Sequence, residues 1–209
     1  MATGTKNYLN KQQYNSIKGH LETYRLDTFM RTLDKNQTKN KGAILPFIRG
    51  LRFSALLIYE IRKALNGTQL NVTWGHILDE NGDYCSSECD IIIYKGSYFA
   101  RWNGSGDNES VMDFRFIEKE NAIAVISCKS FLRTADIEVD YCENMKKYVD
   151  KVWLFAECCG PKSGKNIEKA AKTIGYEHYW HLYTWNRTTD DIEDCLDEWV
   201  HFLDTLKSL

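Results

Sequence analysis

Hydrophobic positions along this chain alternate between a helical rhythm and unbroken apolar runs. Tyr8, Leu9, Tyr14, Ile17, Leu21, Tyr24, Leu26 and Phe29 form an uneven stripe that predicts helix over 7–35. The polar stretch "DKNQTKNKG", 34–42, reads as a loop. A second helix begins around Pro46, runs through "RGLRFSALLIYEIRKAL" and stops at the C-cap pair Asn66–Gly67. "NVTWGHIL" then predicts a strand, "DENGD" a hairpin turn around Asn-Gly, and "CSSECDIIIY" the returning strand. The Gly/Ser/Asn-rich "NGSGDNES" separates these from the strand "AIAVISC". Residues 134–149 pattern as a helix capped by Thr134, and "KVWLFAECC" as a strand. "SGKNIEKAAKTIG" is a helix between Ser163 and Gly175, "HYWHLYTW" a strand, and 189–207 a closing amphipathic helix.

A helix crossing between strands implies a parallel pair, whereas an Asn-Gly hairpin implies an antiparallel one. The pattern therefore predicts an α/β fold, a mixed sheet flanked by helices. Residues 1–45 read as a helical N-terminal extension and 46–209 as one compact core. Hydrophobic and charged contents of 43% and 27% fit a soluble domain. No apolar run approaches the roughly 18 residues of a membrane span, and the N-terminus lacks the apolar core of a secretion signal. Seven cysteines, an odd count in apolar contexts, suggest reduced thiols in a cytoplasm. Cys85, Cys89, Cys158 and Cys159 do not have zinc-knuckle spacing and read as buried thiols. "GPKSGKN" is one residue short of a phosphate loop and has Asn166 where Ser or Thr should stand.

The net charge of −2 conceals an asymmetry. Residues 1–65 carry a balance of +8 and the rest −10. A basic N-terminal third is compatible with phosphate binding, and a solvated helical surface accounts for it equally well.

Candidate chemistry gathers on two strands. Alternation along "SSECDIIIY" places Glu88, Asp90, Ile92 and Tyr94 on one face, and Cys89, Ile91 and Ile93 on the other. Carboxylates entering an apolar strand are costly unless a cation meets them. "NAIAVISCKS" ends an apolar run in a lysine, with Ser127 and Lys129 sharing a face. If the strands are neighbours, Asp90 and Lys129 meet at one sheet edge.

The element order, with "DIIIY" on one strand and "CKS" ending another, resembles the PD-(D/E)xK phosphodiesterase superfamily, which is restriction-endonuclease-like in fold. The likeness covers about residues 46–156. It implies a metal-dependent nuclease using Mg²⁺ or Mn²⁺, with DNA ahead of RNA as substrate, and a part in restriction or antiviral defence. Two positions depart from the family pattern. Cys89 stands where Pro is usual, and Ser127 stands where the second acidic ligand belongs. One branch of restriction endonucleases has Ser-x-Lys here and takes its acid from the following helix, about fourteen residues after the lysine; Glu143 occupies that place.

By this resemblance Asp90, Glu143 and the carbonyl of Cys128 would hold the ion. Lys129 would serve the attacking water or the transition state, and Ser127 would hydrogen-bond within the site. Helical periodicity keeps Glu143 near the sheet only if Val139, Cys142, Met145 and Val149 face inward; otherwise Glu138 substitutes. Glu60, inside the apolar face of its helix, is the acid the superfamily often carries there, or else an ion-pair partner of Arg62 or Lys63. Glu88 is a site residue or a hairpin-surface one. The missing acid at 127 supports an alternative, a catalytically inactive nuclease fold that binds nucleic acid or a partner protein. A homo-oligomer or a defence-system partner completes the expected associations.

Overall fold

The computed structural model describes residues 11–20, 44–82, 84–102, 114–186, 188–189 and 191–209. Among the described residues five α-helices and eight strands are formed. Residues 11–20 make α1, followed by α2 (Ile44–Leu65), β1 (Leu70–Leu78), β2 (Cys89–Lys95), β3 (Ala100–Trp102), β4 (Phe114–Glu118) and β5 (Ala122–Leu132). Then come α3 (Val139–Met145), β6 (Lys151–Cys159), α4 (Gly164–Ile174), β7 (His178–Asn186), β8 (Asp191–Asp194) and α5 (Leu196–Lys207). All strands join one sheet in the order β3-β4-β1-β2-β5-β6-β7-β8. β1, β2 and β5 pair antiparallel, as the hairpin turn predicts, while β5, β6 and β7 run parallel with helices in the crossovers.

Each sheet face buries its own core. On one side α1 (Tyr14, Ile17), α2 (Phe53, Leu57, Ile61) and α5 (Trp199, Phe202, Leu206) pack over Ile91, Ile93 and Ile126. On the other, α3 (Cys142, Met145) and α4 (Ile167, Ala171) cover Ile92, Val125 and Leu154. The central strands are apolar on both faces because both are covered. α4 ends where Gly175, at φ +119°, donates its N–H back to the Ala171 carbonyl at 3.0 Å. No described helix is long and apolar enough to cross a membrane.

The structure corrects several element boundaries. Three strands were missed: β3, β4 and β8. "DIED" is acid-rich, yet it pairs with β7 from Tyr183↔Asp194 to Asn186↔Asp191, so the closing helix starts only at Leu196. The expected helix over 134–149 is broken. Thr134–Asp136 is a 3₁₀ turn closed by Asp136 accepting from Arg133, and α3 follows after two extended residues. Of the long helix expected over 7–35, residues 11–20 are helical and the remainder lies outside the described residues, as does "NGSGDNES". α1 is joined to the main core: Tyr14 donates to the Leu182 carbonyl at 2.6 Å. None of the seven cysteines forms a disulfide; Cys89, Cys158 and Cys159 are buried as expected, whereas Cys85 is exposed.

Candidate active site

A bulge in β2 creates the site. Thr73 pairs with Ile92, but Gly75 pairs with Cys89, so β2 spends two residues, Asp90 and Ile91, opposite the single Trp74. Bulges re-aim side chains and end pairing. This one overturns the alternation expected from sequence, because Cys89 joins the core of Ile92 and Tyr94 rather than that of Ile91 and Ile93. On the other side of β2, pairing with β5 ends at Ile91↔Ile126. Past that pair the Asp90 carboxylate takes over, accepting the Cys128 N–H at 2.7 Å through Oδ2. The strand-end aspartate thus replaces a ladder bond where the two strands part.

Burial pushes the Asp90 carboxyl above its ordinary value of 3.8; the Cys128 N–H and then Lys129 pull it back, while Glu88 and Glu138 add repulsion. Lys129, on the α3 side of β5, donates to Glu138 Oε1 at 2.7 Å. Both are partly open to solvent, with side chains 24% and 50% exposed. The Cys128 side chain points to the opposite face, beside Ser54 of α2, and burial holds its thiol well above the usual range.

Two tyrosines close the site from the α3 and α4 side. The Tyr141 hydroxyl is buried beside the Cys89 thiol and Asp90. The Tyr176 hydroxyl donates to the Glu138 carbonyl at 3.0 Å and faces Ser127. Burial raises both phenols, which therefore stay protonated. Ser127 Oγ and Tyr141 Oη are buried and complete no well-formed hydrogen bond. Sequence reasoning missed both tyrosines, since aromatic residues on apolar stripes look like core.

The structure thus brings Asp90, Ser127, Lys129 and Glu138 together, with Glu88 among the charges acting on Asp90. It leaves Glu143 and Glu60 outside that group. Cys142, Met145 and Val149 do face inward, but Glu143 is exposed, and no hydrogen bond or ion pair joins it to Asp90 or Lys129. Helix α3 enters the site by its leading residue, Glu138, and Glu143 lies five residues on, about 7.5 Å further along the helix axis. Glu60 is 2% exposed and accepts from Lys63 at 3.0 Å, the ion-pair alternative. The α2 residue beside Cys128 is instead Ser54, six positions earlier.

Neither a known family's sequence profile nor any curated protein matches this chain. Several solved structures share its fold, two NucC chains among them. The NucC of P. aeruginosa ATCC27853 in its cAAA-bound form has a TM-score of 0.59 and 11% identity, covering 96% of this chain and 90% of that one. The NucC of E. coli MS115-1, also cAAA-bound, gives 0.61 at 11% identity, with 96% and 89% covered. At this identity the likeness is one of fold. The mixed sheet with helices on both faces is restriction-endonuclease-like, as the sequence resemblance implied.

Proposed function

We propose that this chain is a metal-dependent nuclease hydrolysing phosphodiester bonds, with DNA ahead of RNA as substrate. One observation carries the reading: Asp90 and Lys129 converge where β2 and β5 part, and a second acid, Glu138, is paired with Lys129. A part in restriction or antiviral defence extends the same resemblance.

The residues present fit Mg²⁺ or Mn²⁺. Among the described residues no three His, Cys, Asp or Glu side chains cluster closely enough to hold an ion by themselves. Mg²⁺ does not require that, since it usually keeps several waters and binds through one or two carboxylates plus substrate phosphate. Asp90 and Glu138 would supply the carboxylates, and the Cys128 carbonyl would be a third oxygen. The Ser127 and Tyr141 hydroxyls, which complete no well-formed hydrogen bond, would add hard oxygen ligands. When bound, the ion supplies Lewis acidity that polarises the scissile phosphate and acidifies water.

The chain's own groups do the rest. The Cys128 N–H fixes one Asp90 oxygen and so sets the direction of the other. Lys129, at the partly open mouth, orients the attacking water or meets charge developing on the phosphorane-like transition state. Glu138 replaces Glu143 as the second acid in this reading. The basic N-terminal third grips the nucleic-acid backbone. Within it, Lys18 pairs with Asp194 and Lys63 with Glu60.

A second reading, a nuclease fold that binds nucleic acid or a partner protein without cutting, is favoured by Ser127 and by the absence of a three-acid cluster among the described residues. Plasmid cleavage separates the two. Wild type, Lys129→Ala and Asp90→Asn are incubated with and without Mg²⁺, and with and without cAAA, the ligand of both similar structures. Mg²⁺-dependent cutting by wild type should fall at least a hundredfold in either variant. Undiminished cutting by Lys129→Ala refutes the mechanism. Plasmid binding without cutting under every condition establishes the second reading.

A further inference from the structure

An acid taken off the strand must be held still by something else. Glu138 lies in extended backbone, φ −85° and ψ 108°, between a 3₁₀ turn and a helix of seven residues. Its carbonyl starts the α3 ladder only through a long bond, 3.4 Å from the Cys142 N–H. The shorter contact is the one from the Tyr176 hydroxyl, at 3.0 Å. Tyr176 is itself well anchored. It is 2% exposed, follows the Gly175 cap of α4 directly, and donates its own N–H to the Ala171 carbonyl at 3.0 Å.

The tip of that phenol faces Ser127, the position where the family pattern has its carboxylate. Ser127 is 1% exposed, and a longer, charged side chain there would meet the Tyr176 hydroxyl and the Glu138 carbonyl. The small residue at 127 and the tyrosine at 176 therefore form a matched pair. We infer that Tyr176 is a positioning residue: its hydroxyl clamps the Glu138 main chain over Ser127, so that the Glu138 carboxylate meets Lys129 and the ion that Asp90 holds. The inference rests on the nuclease reading and assigns that site a support outside its charged residues.

Mn²⁺ binding followed by titration calorimetry tests it, alongside the Mg²⁺ dependence of cleavage. Tyr176→Phe removes only the oxygen. Loss of a group that orients a metal ligand costs about tenfold or more in affinity, and about tenfold is expected here. The loss should show chiefly in the Mg²⁺ concentration needed for half-maximal cleavage and less in the rate at saturating Mg²⁺, because the clamp orients a ligand and leaves Lys129 in place. Glu138→Gln should weaken Mn²⁺ further, and the double variant should bind no more weakly than Glu138→Gln alone, since both act through one carboxylate. Tyr179→Phe is the control, a buried phenol whose hydroxyl completes no well-formed hydrogen bond; it should bind Mn²⁺ as wild type does. Wild-type Mn²⁺ affinity in Tyr176→Phe, or losses that multiply in the double variant, would overturn the inference. A wild type that binds and cuts beside an unaffected Tyr176→Phe sinks only the clamp. A wild type that neither binds Mn²⁺ nor cuts sinks the nuclease reading as well.

Discussion

Gly75 pairs with Arg115 of the parallel neighbour β4 and has φ +142°. A β-carbon there would stand 1.9 Å from the Arg115 carbonyl oxygen and 2.9 Å from two other backbone atoms of that residue, where ordinary contact starts at 3.4 Å. A backbone carbonyl cannot swing aside as a lysine tip can, so the strands themselves must part. Overpacking of this kind costs about 1–3 kcal/mol, and a non-glycine residue at such a φ about 1–3 more. Gly75→Ala should therefore lose about 4 kcal/mol. In a chain of 209 residues that corresponds to a fall in Tm of about 8–16 °C. The effect should also reach the site. Gly75 pairs with Cys89, the residue before the bulged Asp90, so the Tm rise that Mn²⁺ gives the wild type should shrink in the variant. Scanning calorimetry with and without Mn²⁺ reads both effects. A melt within about 2 °C of wild type would show that β4 yields freely and that the close approach does not hold the sheet in place.

Other perturbations test separate parts of the reasoning. Asp90 is pushed above 3.8 by burial, so the native state holds its proton more tightly than the unfolded chain; its contribution to stability falls as pH rises through its raised value. Metal-free Asp90→Asn should accordingly melt higher than wild type at pH 7, with the gap closing towards pH 4; thermal melts across that range check this, and a lower melt at pH 7 would contradict it. Glu138→Gln should abolish the Mn²⁺-induced Tm rise and Glu143→Gln should preserve it; the reverse pattern in a thermal-shift titration would reinstate Glu143. Tyr14→Phe removes the donor to Leu182 and the acceptor for the Cys195 N–H, and should cost about 1–2 kcal/mol in urea unfolding. No loss there would mean that α1 is held by its apolar side and the Lys18–Asp194 pair without help from the Tyr14 hydroxyl.

Much of the architecture was legible because long apolar runs and strong breakers are local signals. "DIIIY", "AIAVIS" and "VWLFA" each became central strands, and Asn66–Gly67 and Gly175 ended helices where expected. The missed strands carry no such signal. β8 consists of Asp191, Ile192, Glu193 and Asp194 and is a strand only because β7 offers it an edge. The bulge was invisible for the same reason, since the two-for-one register is set by β1 and the glycine on it. Asp90 and Lys129 could be singled out because a charge at the end of an apolar strand is anomalous in itself. Identifying the acid that accompanies them required knowing that 134–149 is not one helix; the spacing of the resembled family pointed to Glu143, and helical periodicity over the segment left Glu143 and Glu138 both open. The Arg133–Asp136 turn resets that count and brings Glu138 to the lysine.

Tyr14 and its acceptor Leu182 are separated by 168 positions, and Lys18 finds Asp194 still later in the chain. Ribosomes add about 5–20 residues per second, so α1 emerges roughly ten to thirty seconds before the strand it docks on exists. α1 must wait for β7 and β8 to be made, so that half of the interior closes long after its first helix has left the ribosome.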